Sequence, residues 1–197
     1  MILTVLQQTP SRSEQALLFA RNFFKHPRML GSLIPSSRFL TKELLKQIDW
    51  KRARVIVEYG PGVGNITTEI LRRLRPGGKM IVFETNAEFV EFLRESLRDP
   101  RLHVVHGSAE RIGEVLQQLG FDHADYVISG IPFSTMPEEV RARILRNTRT
   151  ALNPQGRFLV YQFSPAVLPY LKQSFREVRK DFEPLNILPA WLYFCTP

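Results

Sequence analysis

The chain has 197 residues, enough for one domain with an appendage. Apolar residues make up 44% and aromatic residues 11%, so the sequence can bury a sizeable core and is not expected to be disordered. The two longest uncharged runs, Phe158–Leu171 and Pro184–Pro197, have 14 residues each and contain prolines, which argues against an integral membrane protein. A single cysteine, Cys195, excludes a disulfide scaffold and favours a reducing compartment.

Positive charge is concentrated at the start of the chain. The formal net charge is +8, from 27 basic and 19 acidic side chains, and residues 1–54 alone carry +7. This asymmetry indicates an anionic partner, which is a nucleic acid, an anionic membrane or a phosphorylated substrate, unless the charge only keeps the protein soluble. The apolar residues Met1–Leu6 follow no basic region and precede no cleavage pattern, so we expect a cytoplasmic protein.

Two helices are predicted before residue 50. Residues 13–25 place most of their apolar side chains on one face of a helix, with Glu14 and Arg21 on the opposite face and Leu18 also on that polar side. The loop Leu33–Arg38 then leads into a second helix, at about Phe39–Ile48. Amphipathic helices of this kind suit packing against a sheet and binding in a membrane interface equally well, so the pattern leaves both roles open.

Beyond residue 54, short apolar strands alternate with amphipathic helices. Strands are predicted at 54–58, 79–84, 102–106, 124–129, 157–163, 177–182 and 191–195, and helices at 65–74, 87–97, 109–119, 137–151 and 166–174. This alternation implies right-handed crossovers and a mostly parallel sheet with helices on both faces. We therefore predict an α/β fold with a Rossmann-like, mostly parallel seven-stranded sheet.

The clearest functional pattern follows the first predicted strand. Glu58 precedes a turn that contains Gly60, Gly62 and Gly64, and Glu84 ends the next strand. Open α/β sheets bind ligands at such strand ends, where glycines allow close approach and an acid accepts hydrogen bonds from ribose. The spacing differs from the dinucleotide pattern, and a carboxylate before the turn suits an ammonium group rather than a phosphate. A ribonucleoside with an amino-acid tail, such as S-adenosylmethionine, fits these features, whereas the alternative is a purely structural turn.

Three further segments are predicted to line the site. Thr85 follows Glu84 directly and is assigned to the cofactor. Ser108 and Ala109 follow the third strand. Ser108 is placed either to accept a hydrogen bond from the adenine amino group or only to cap a helix. Ser129, Gly130, Ile131 and Pro132 end the fourth strand, where the acceptor meets the methyl group or where the chain simply turns. The carbonyls of Gly130 and Ile131 are expected to orient an amine, whose proton goes to water because no dedicated base is evident.

Metal chemistry is not predicted. None of the four histidines shares ligand spacing with another histidine, a cysteine or a carboxylate pair. Cys195 fits packing on an edge strand better than a nucleophile.

The glycine turn and its acids resemble those of class I S-adenosylmethionine-dependent methyltransferases. More narrowly, the chain resembles the bacterial phospholipid N-methyltransferases in the segments Phe24–Pro27 with Gly31, Ile34–Arg38, Ser129–Pro132, Tyr161–Ser164 and Pro189–Tyr193. The resemblance implies stepwise N-methylation of phosphatidylethanolamine toward phosphatidylcholine, with S-adenosylhomocysteine as the product and no metal. It also implies a monomer that is peripheral on the inner face of the cytoplasmic membrane, with a phospholipid substrate and no nucleic acid partner.

The resemblance also implies a division of the chain and a set of lipid contacts. Residues 1–50 would form a basic helical extension that covers the site and contacts anionic membrane through residues 1–25, and residues 51–197 would bind S-adenosylmethionine. The lipid phosphate is assigned to Ser36, Ser37 and Arg38, because a guanidinium matches a phosphate bidentately. The methylated ammonium is assigned to the aromatic rings of Tyr161, Trp191 and Tyr193. A surface role for Arg38 and sheet packing for the aromatic residues are the alternatives.

Two residues depart from the pattern of the lipid enzymes. Ser108 stands where an acid is common, and Phe133 stands where an aliphatic residue is common. Phe133 suits the main rival, a ribosomal RNA adenine N6-dimethyltransferase, in which an aromatic ring stacks on the base. However, Ser129 and Gly130 replace the asparagine of those enzymes, and we expect no helical RNA-binding domain like theirs after the predicted sheet, whose last strand reaches Cys195. A non-catalytic cofactor-binding module is the third possibility.

Overall fold

The structure, a computed structural model, describes residues 37–186 and 188–197. The strands are β1 (Val55–Tyr59), β2 (Lys79–Glu84), β3 (Leu102–His106), β4 (Ala124–Ser129), β5 (Leu152–Gln162), β6 (Glu177–Glu183) and β7 (Ala190–Thr196). The α-helices are α1 (Arg38–Leu45), α2 (Asn65–Arg73), α3 (Ala87–Ser96), α4 (Ile112–Gln118), α5 (Glu138–Ala151) and α6 (Leu168–Ser174). Short 3-10 turns at Ala109–Arg111, Phe133–Thr135 and Pro165–Val167 lie between β3 and α4, β4 and α5, and β5 and α6.

The strands pair in one sheet with the order β3-β2-β1-β4-β5-β7-β6. Neighbours from β3 to β5 are parallel, while β7 is antiparallel to both β5 and β6. The strand order reverses between β1 and β4, so the crevice beyond their carboxyl ends is the expected ligand site of an open α/β sheet. The predicted Rossmann-like, mostly parallel seven-stranded fold is confirmed.

Helices bury both faces of the sheet. Helices α1, α2 and α3 pack on one face, and α4, α5 and α6 pack on the other. Strand β1 is buried at every residue, and so it reads as a continuous apolar run rather than as an alternating pattern. Its one acidic residue, Glu58, is therefore a polar group placed inside an apolar layer, which draws attention to its function.

Helix α1 packs in this core, whereas residues 1–50 are predicted above to form an N-terminal extension. Leu40, Leu44 and Leu45 are fully buried against the sheet. The helix begins after Ser37, whose Oγ accepts a hydrogen bond of 3.2 Å from the Leu40 amide. Residues 1–36, with the predicted helix at 13–25 and Ser36, lie outside the described residues. In the described chain, every helix falls short of the length and apolar character required to cross a bilayer.

Candidate functional site

The glycine turn connects β1 to α2 and lies against the loop that follows β4. Gly60 has φ +69°, and a Cβ built on it would lie 2.8 Å from Cγ2 of Ile131. Gly64 has φ +79°, and a Cβ there would lie 2.8 Å from Cδ2 of Leu93 on α3. A side chain at either position would be strained by its backbone angle and by its neighbour. The turn therefore needs glycine to stay close to α3 and to the loop after β4, residues 130–132, which we call the acceptor loop.

Glu84 holds the turn from the next strand. Its Oε2 accepts a hydrogen bond of 3.3 Å from the Gly62 amide, and its Oε1 accepts bonds of 2.8 and 2.9 Å from the amides of Thr85 and Asn86. Burial raises the pKa of Glu84, although these amide bonds and the nearby His106 oppose the shift. The amides of Thr85 and Asn86 occupy Oε1, so Oε2 keeps one acceptor position beside the Gly62 amide, which is where a ribose hydroxyl would donate.

Glu58 is the second buried carboxyl of the site. Its Oε2 accepts a hydrogen bond of 2.6 Å from the Thr67 hydroxyl on α2. Burial raises its pKa from 4.5 to about 7, the bond from Thr67 lowers it, and the charge of Glu84 raises it further. Ionising both carboxyls in this apolar layer is unfavourable unless a cation binds between them and the solvent. The electrostatics therefore favour a ligand with an ammonium or sulfonium group.

S-adenosylmethionine suits these two carboxyls, because it carries both positive charge and ribose hydroxyls. Its ammonium and sulfonium groups would neutralise the buried carboxyls of Glu58 and Glu84, and its ribose hydroxyls would donate hydrogen bonds to Glu84; these contacts stay predictions. A Cβ at Gly60 would meet Ile131 and one at Gly64 would meet Leu93, so these glycines keep the turn packed against its neighbours; contact between the turn and the amino-acid tail stays a prediction. No group of three His, Cys, Asp or Glu side chains that could hold a metal ion occurs in residues 37–186 and 188–197.

The residues assigned to the adenine take other contacts. Ser108 Oγ accepts a hydrogen bond of 3.2 Å from the Glu110 amide and donates one of 3.1 Å to Glu110 Oε1, so it caps the turn at Ala109–Arg111. Ala109 is buried in the core. Thr85 is exposed and accepts from His106 Nε2 through its carbonyl at 3.3 Å. The capping role of Ser108 does not exclude an adenine contact, which stays a prediction.

The acceptor loop after β4 is held by side chains that the sequence did not single out. Gln162, at the end of β5, donates from Nε2 to the carbonyl oxygen of Ile131 at 2.8 Å, and the Phe133 amide donates to the same oxygen at 2.9 Å. Both acceptor positions of the Ile131 carbonyl are thereby taken, so this carbonyl does not orient the amine as expected. From below the loop, Arg141 donates to the carbonyl of Phe133 at 3.3 Å.

Gly130 lies directly against a tyrosine. A Cβ built on Gly130 would be 2.0 Å from the hydroxyl oxygen of Tyr161 and 2.3 Å from its Cζ. The half-buried ring of Tyr161 therefore lies beside this loop, and its predicted contact with the methylated ammonium stays a prediction. Only glycine at position 130 admits a ring this close to the backbone.

Ser129 and Tyr193 lie in the protein interior rather than at the surface of an open pocket. Both are 0% exposed, and they face the same side of the sheet because each pairs with Val160 of β5. The Ser129 Oγ and the Tyr193 hydroxyl have no hydrogen-bond partner among the described residues. The Tyr193 ring, enclosed in the core, does not face a lipid head group, and this corrects the sequence-based assignment. Pro132, by contrast, is half-buried beside the loop.

The remaining lipid-binding candidates lie at the same edge of the sheet. Arg38 is exposed, with its guanidinium carbon 4.8 Å from the ring centroid of Phe39. Ser37 donates from its amide to Asn186 Oδ1 at 2.8 Å in addition to capping α1. Trp191 is half-buried, and the Lys180 ammonium already lies 3.6 Å from its ring centroid.

The sequence matches a methyltransferase family over most of its length. Residues 32–183 match the methyltransferase small domain family. The chain is 38% identical over 180 residues to an ornithine lipid N-methyltransferase of Singulisphaera acidiphila, a match that covers 90% of this chain and 94% of that protein. It is 26% identical over 139 residues to a ubiquinone/menaquinone biosynthesis C-methyltransferase of Idiomarina loihiensis, of which it spans 52%.

Solved structures share the fold at low sequence identity. A precorrin 8w decarboxylase from Methanobacterium thermoautotrophicum superimposes with a TM-score of 0.62 at 17% identity and covers 83% of this chain and 92% of that one. A Burkholderia thailandensis 1,6-didemethyltoxoflavin-N1-methyltransferase with bound S-adenosylhomocysteine gives 0.60 at 13% identity, over 95% and 90% of the chains. The site geometry and the sequence matches together place the chain in the class I S-adenosylmethionine-dependent methyltransferases, in the same family as the ornithine lipid N-methyltransferase.

Proposed function

We propose that the protein transfers methyl groups from S-adenosylmethionine to the amine of a membrane lipid, with ornithine lipid as the first candidate acceptor. The observation that carries this proposal is the 38% identity to an ornithine lipid N-methyltransferase along nearly the whole of both chains. The second candidate is phosphatidylethanolamine, which the sequence resemblance implies and which would lead toward phosphatidylcholine. Both lipids present a primary amine on a short chain close to an anionic group.

The chain's own residues support distinct roles on the two sides of the reaction. Glu58 would hold the ammonium of the cofactor and Glu84 its ribose, as their burial and hydrogen bonds favour. When bound, S-adenosylmethionine supplies an electrophilic methyl group on its sulfonium. Gln162 and Arg141 fix the loop that faces this methyl group, so the enzyme's main contribution would be positioning of the acceptor.

Arg38 is our candidate for the anionic group of the lipid head. Its guanidinium is exposed at the start of α1, and it matches a carboxylate or a phosphodiester equally well. The chemistry of this contact therefore does not separate ornithine lipid, which carries a carboxylate, from phosphatidylethanolamine. Contact with the membrane through residues 1–25 rests on the sequence alone, since those residues lie outside the described chain.

Phe133 argues against the RNA-modifying alternative. The ring is 0% exposed and packs edge-on against Phe158, with 6.2 Å between the ring centroids. A ring in this position is not available to stack on a flipped base. The feature that favoured an RNA substrate in the sequence is thus a core contact in the fold.

Methyl transfer from labelled S-adenosylmethionine tests the proposal directly. The full chain is incubated separately with vesicles that contain ornithine lipid, vesicles that contain phosphatidylethanolamine, and ribosomal RNA. We expect label in ornithine lipid at a higher kcat/KM than in phosphatidylethanolamine, and none in RNA. Cofactor binding without transfer to either lipid would favour a non-catalytic module, and transfer to RNA would reject the lipid assignment.

Arg38→Ala refines the acceptor assignment, with Arg52→Ala as a matched control. Arg52 is also exposed and pairs only weakly, at 3.9 Å, with Asp49 ahead of β1. We expect Arg38→Ala to raise the KM for the lipid about tenfold while the cofactor Kd stays unchanged, as the loss of a charge-assisted contact requires. Equal effects of both substitutions would remove Arg38 from the acceptor site.

A further inference from the structure

Large apolar side chains remain exposed in residues 37–186 and 188–197 at the start of α1, on one face of the sheet, and around the connection from β6 to β7, and the bond from the Ser37 amide to Asn186 joins the two segments. These side chains are Phe39, Phe182, Leu185 and Leu188, which are between 36% and 63% exposed. Phe39 lies in the first turn of α1, Phe182 lies near the end of β6, and the two leucines lie in the connection to β7. Scattered exposed apolar residues are ordinary on a protein surface, whereas a group restricted to one edge indicates an interaction site.

Strand register places this region beside the acceptor loop. Phe182 pairs with Trp191, and Trp191 pairs with Gln162 on β5. Gln162 in turn donates to the Ile131 carbonyl of the acceptor loop. Phe182 is therefore at the same level of the sheet as the loop, and the exposed group lies at the edge where an acceptor would enter.

Hydrogen bonds from two buried side chains fix the backbone at Leu185 and Leu188 while both leucine side chains stay exposed. Asn186 is buried, accepts from the Ser37 amide at 2.8 Å and donates to the Leu188 carbonyl at 2.9 Å. Glu183 is also buried and accepts from the Leu185 amide at 2.8 Å. The polar groups of the connection are thus satisfied toward the protein, while the apolar side chains at 185 and 188 are left in solvent. A connection selected only for solubility would have the opposite arrangement.

Cations lie on aromatic rings within the same group. The Lys180 ammonium lies 3.6 Å from the ring centroid of Trp191, which also contacts Phe182 at 4.6 Å. The Arg38 guanidinium lies 4.8 Å from the Phe39 ring. Asp181 is the acidic side chain exposed here on β6, and its Oδ1 is engaged by the Phe182 amide at 2.8 Å. Aromatic and aliphatic side chains flanked by Lys and Arg are the composition that binds the boundary between acyl chains and anionic head groups.

We propose that Phe39, Phe182, Leu185 and Leu188, flanked by Arg38 and Lys180, form an interfacial surface that inserts into an anionic lipid bilayer. The inference rests on the proposed lipid substrate and adds a partner surface that is separate from residues 1–25. Insertion at this edge would bring the acceptor loop to the head-group layer, so a lipid amine could reach it without leaving the bilayer.

The test compares two matched double variants of the full chain. Leu185→Ser with Leu188→Ser removes the apolar side chains, whereas Leu185→Met with Leu188→Met keeps them apolar and similar in volume. Sedimentation uses phosphatidylcholine vesicles with and without phosphatidylglycerol. We expect the serine variant to partition about tenfold or more weakly than the native chain, and the methionine variant to match it. Equal binding by the serine variant would overturn the surface.

Leu185→Trp supplies an independent readout of contact. After subtraction of the native signal from Trp50 and Trp191, we expect the added indole to shift its emission to shorter wavelength when phosphatidylglycerol vesicles are added. An emission maximum that stays at the solvent-exposed wavelength, while the protein sediments with the vesicles, would show that the membrane is contacted elsewhere and would overturn the proposal.

Turnover in two lipid environments separates this inference from the proposed function. The serine variant should lose activity on amine lipids in vesicles and keep the native activity on the same lipids dispersed in detergent micelles. If the native chain binds vesicles through Leu185 but methylates no amine lipid in either form, the function fails and the surface stands. If both proteins turn over vesicle lipid equally, the surface fails and the function stands.

Discussion

Gln162 and Ile131 are joined by a hydrogen bond of 2.8 Å from the side-chain amide to the backbone carbonyl, across 31 positions of the chain. The same amide nitrogen lies 2.7 Å from the carbonyl of Tyr161, so Gln162 connects the end of β5 to the loop after β4. A second donor, the Phe133 amide, completes the coordination of the Ile131 carbonyl. The loop proposed to face the acceptor is therefore fixed in advance of binding, which would lower the entropic cost of positioning the acceptor.

Gln162→Leu should impair turnover more than cofactor binding. Without its amide the loop is released, and we expect kcat to fall between about 10- and 100-fold while the Kd for S-adenosylmethionine stays unchanged. Unfolding should become easier by roughly 1–2 kcal/mol. Gln173→Leu on the exposed face of α6 is the matched control. An unchanged kcat, with stability alone reduced, would limit Gln162 to a structural contact.

Glu58→Gln should stabilise the free protein at pH 8. Burial raises the pKa of Glu58 from 4.5 to about 7, so the folded state binds this proton more tightly than the unfolded state. Between these two values, the free energy of unfolding of the native protein falls as pH rises. Glutamine avoids the buried charge and still accepts from Thr67, so we expect a gain of roughly 1–3 kcal/mol at pH 8 and little change at pH 4. Thermal unfolding at both pH values checks this, with Glu91→Gln as the exposed control.

Cofactor affinity should rise with pH over the range in which the stability of the free protein falls. The proposed contact between Glu58 and the ammonium of S-adenosylmethionine needs an ionised carboxylate, so affinity should fall as pH drops below about 7, by up to tenfold per pH unit. Calorimetric titrations of the native protein from pH 6 to pH 8 measure this slope. In Glu58→Gln the affinity should be weaker and the slope should flatten. A native slope that persists in the variant would assign the pH dependence to another group.

Gly130→Ala should be destabilising because of Tyr161. The added Cβ would lie 2.0 Å from the tyrosine hydroxyl, so the ring or the loop has to move, at about 1–3 kcal/mol. Tyr161→Leu removes the overlapping atoms, and the double variant should recover at least 0.5 kcal/mol of that loss in a thermodynamic cycle with denaturant unfolding. Gly113→Ala is the control, since no atom lies within 4 Å of a Cβ there. Strict additivity of the two substitutions would contradict the overlap.

Tyr193→Phe should leave activity unchanged and should not reduce stability. The hydroxyl is buried and has no partner in the described residues, so its removal eliminates a desolvated polar group and leaves the ring packing intact. We expect the free energy of unfolding to stay equal or to rise by about 1 kcal/mol. A loss of kcat with unchanged stability would return Tyr193 to the acceptor site.

The sequence alone determined the fold class and predicted which residues form the cofactor half of the candidate site. Strand and helix periods are local properties, so the alternation beyond residue 54 predicts the parallel sheet. The glycine turn and Glu84 are separated by a single crossover, whose geometry is nearly the same in every βαβ unit. The positions of Glu58, Gly60, Gly62, Gly64 and Glu84 therefore follow from spacing.

Only the tertiary structure decided the acceptor half. The side chains on both faces of β7 are mostly apolar, so the sequence pattern does not tell which face is enclosed. Tyr193 is buried because helices cover the face on which it lies. Phe133 is enclosed for the same reason, against Phe158. The bond from Gln162 to Ile131 depends on strand order and register, which bring together residues far apart in the chain. Spacing along the chain carries no trace of such contacts, because they arise from how the strands pair.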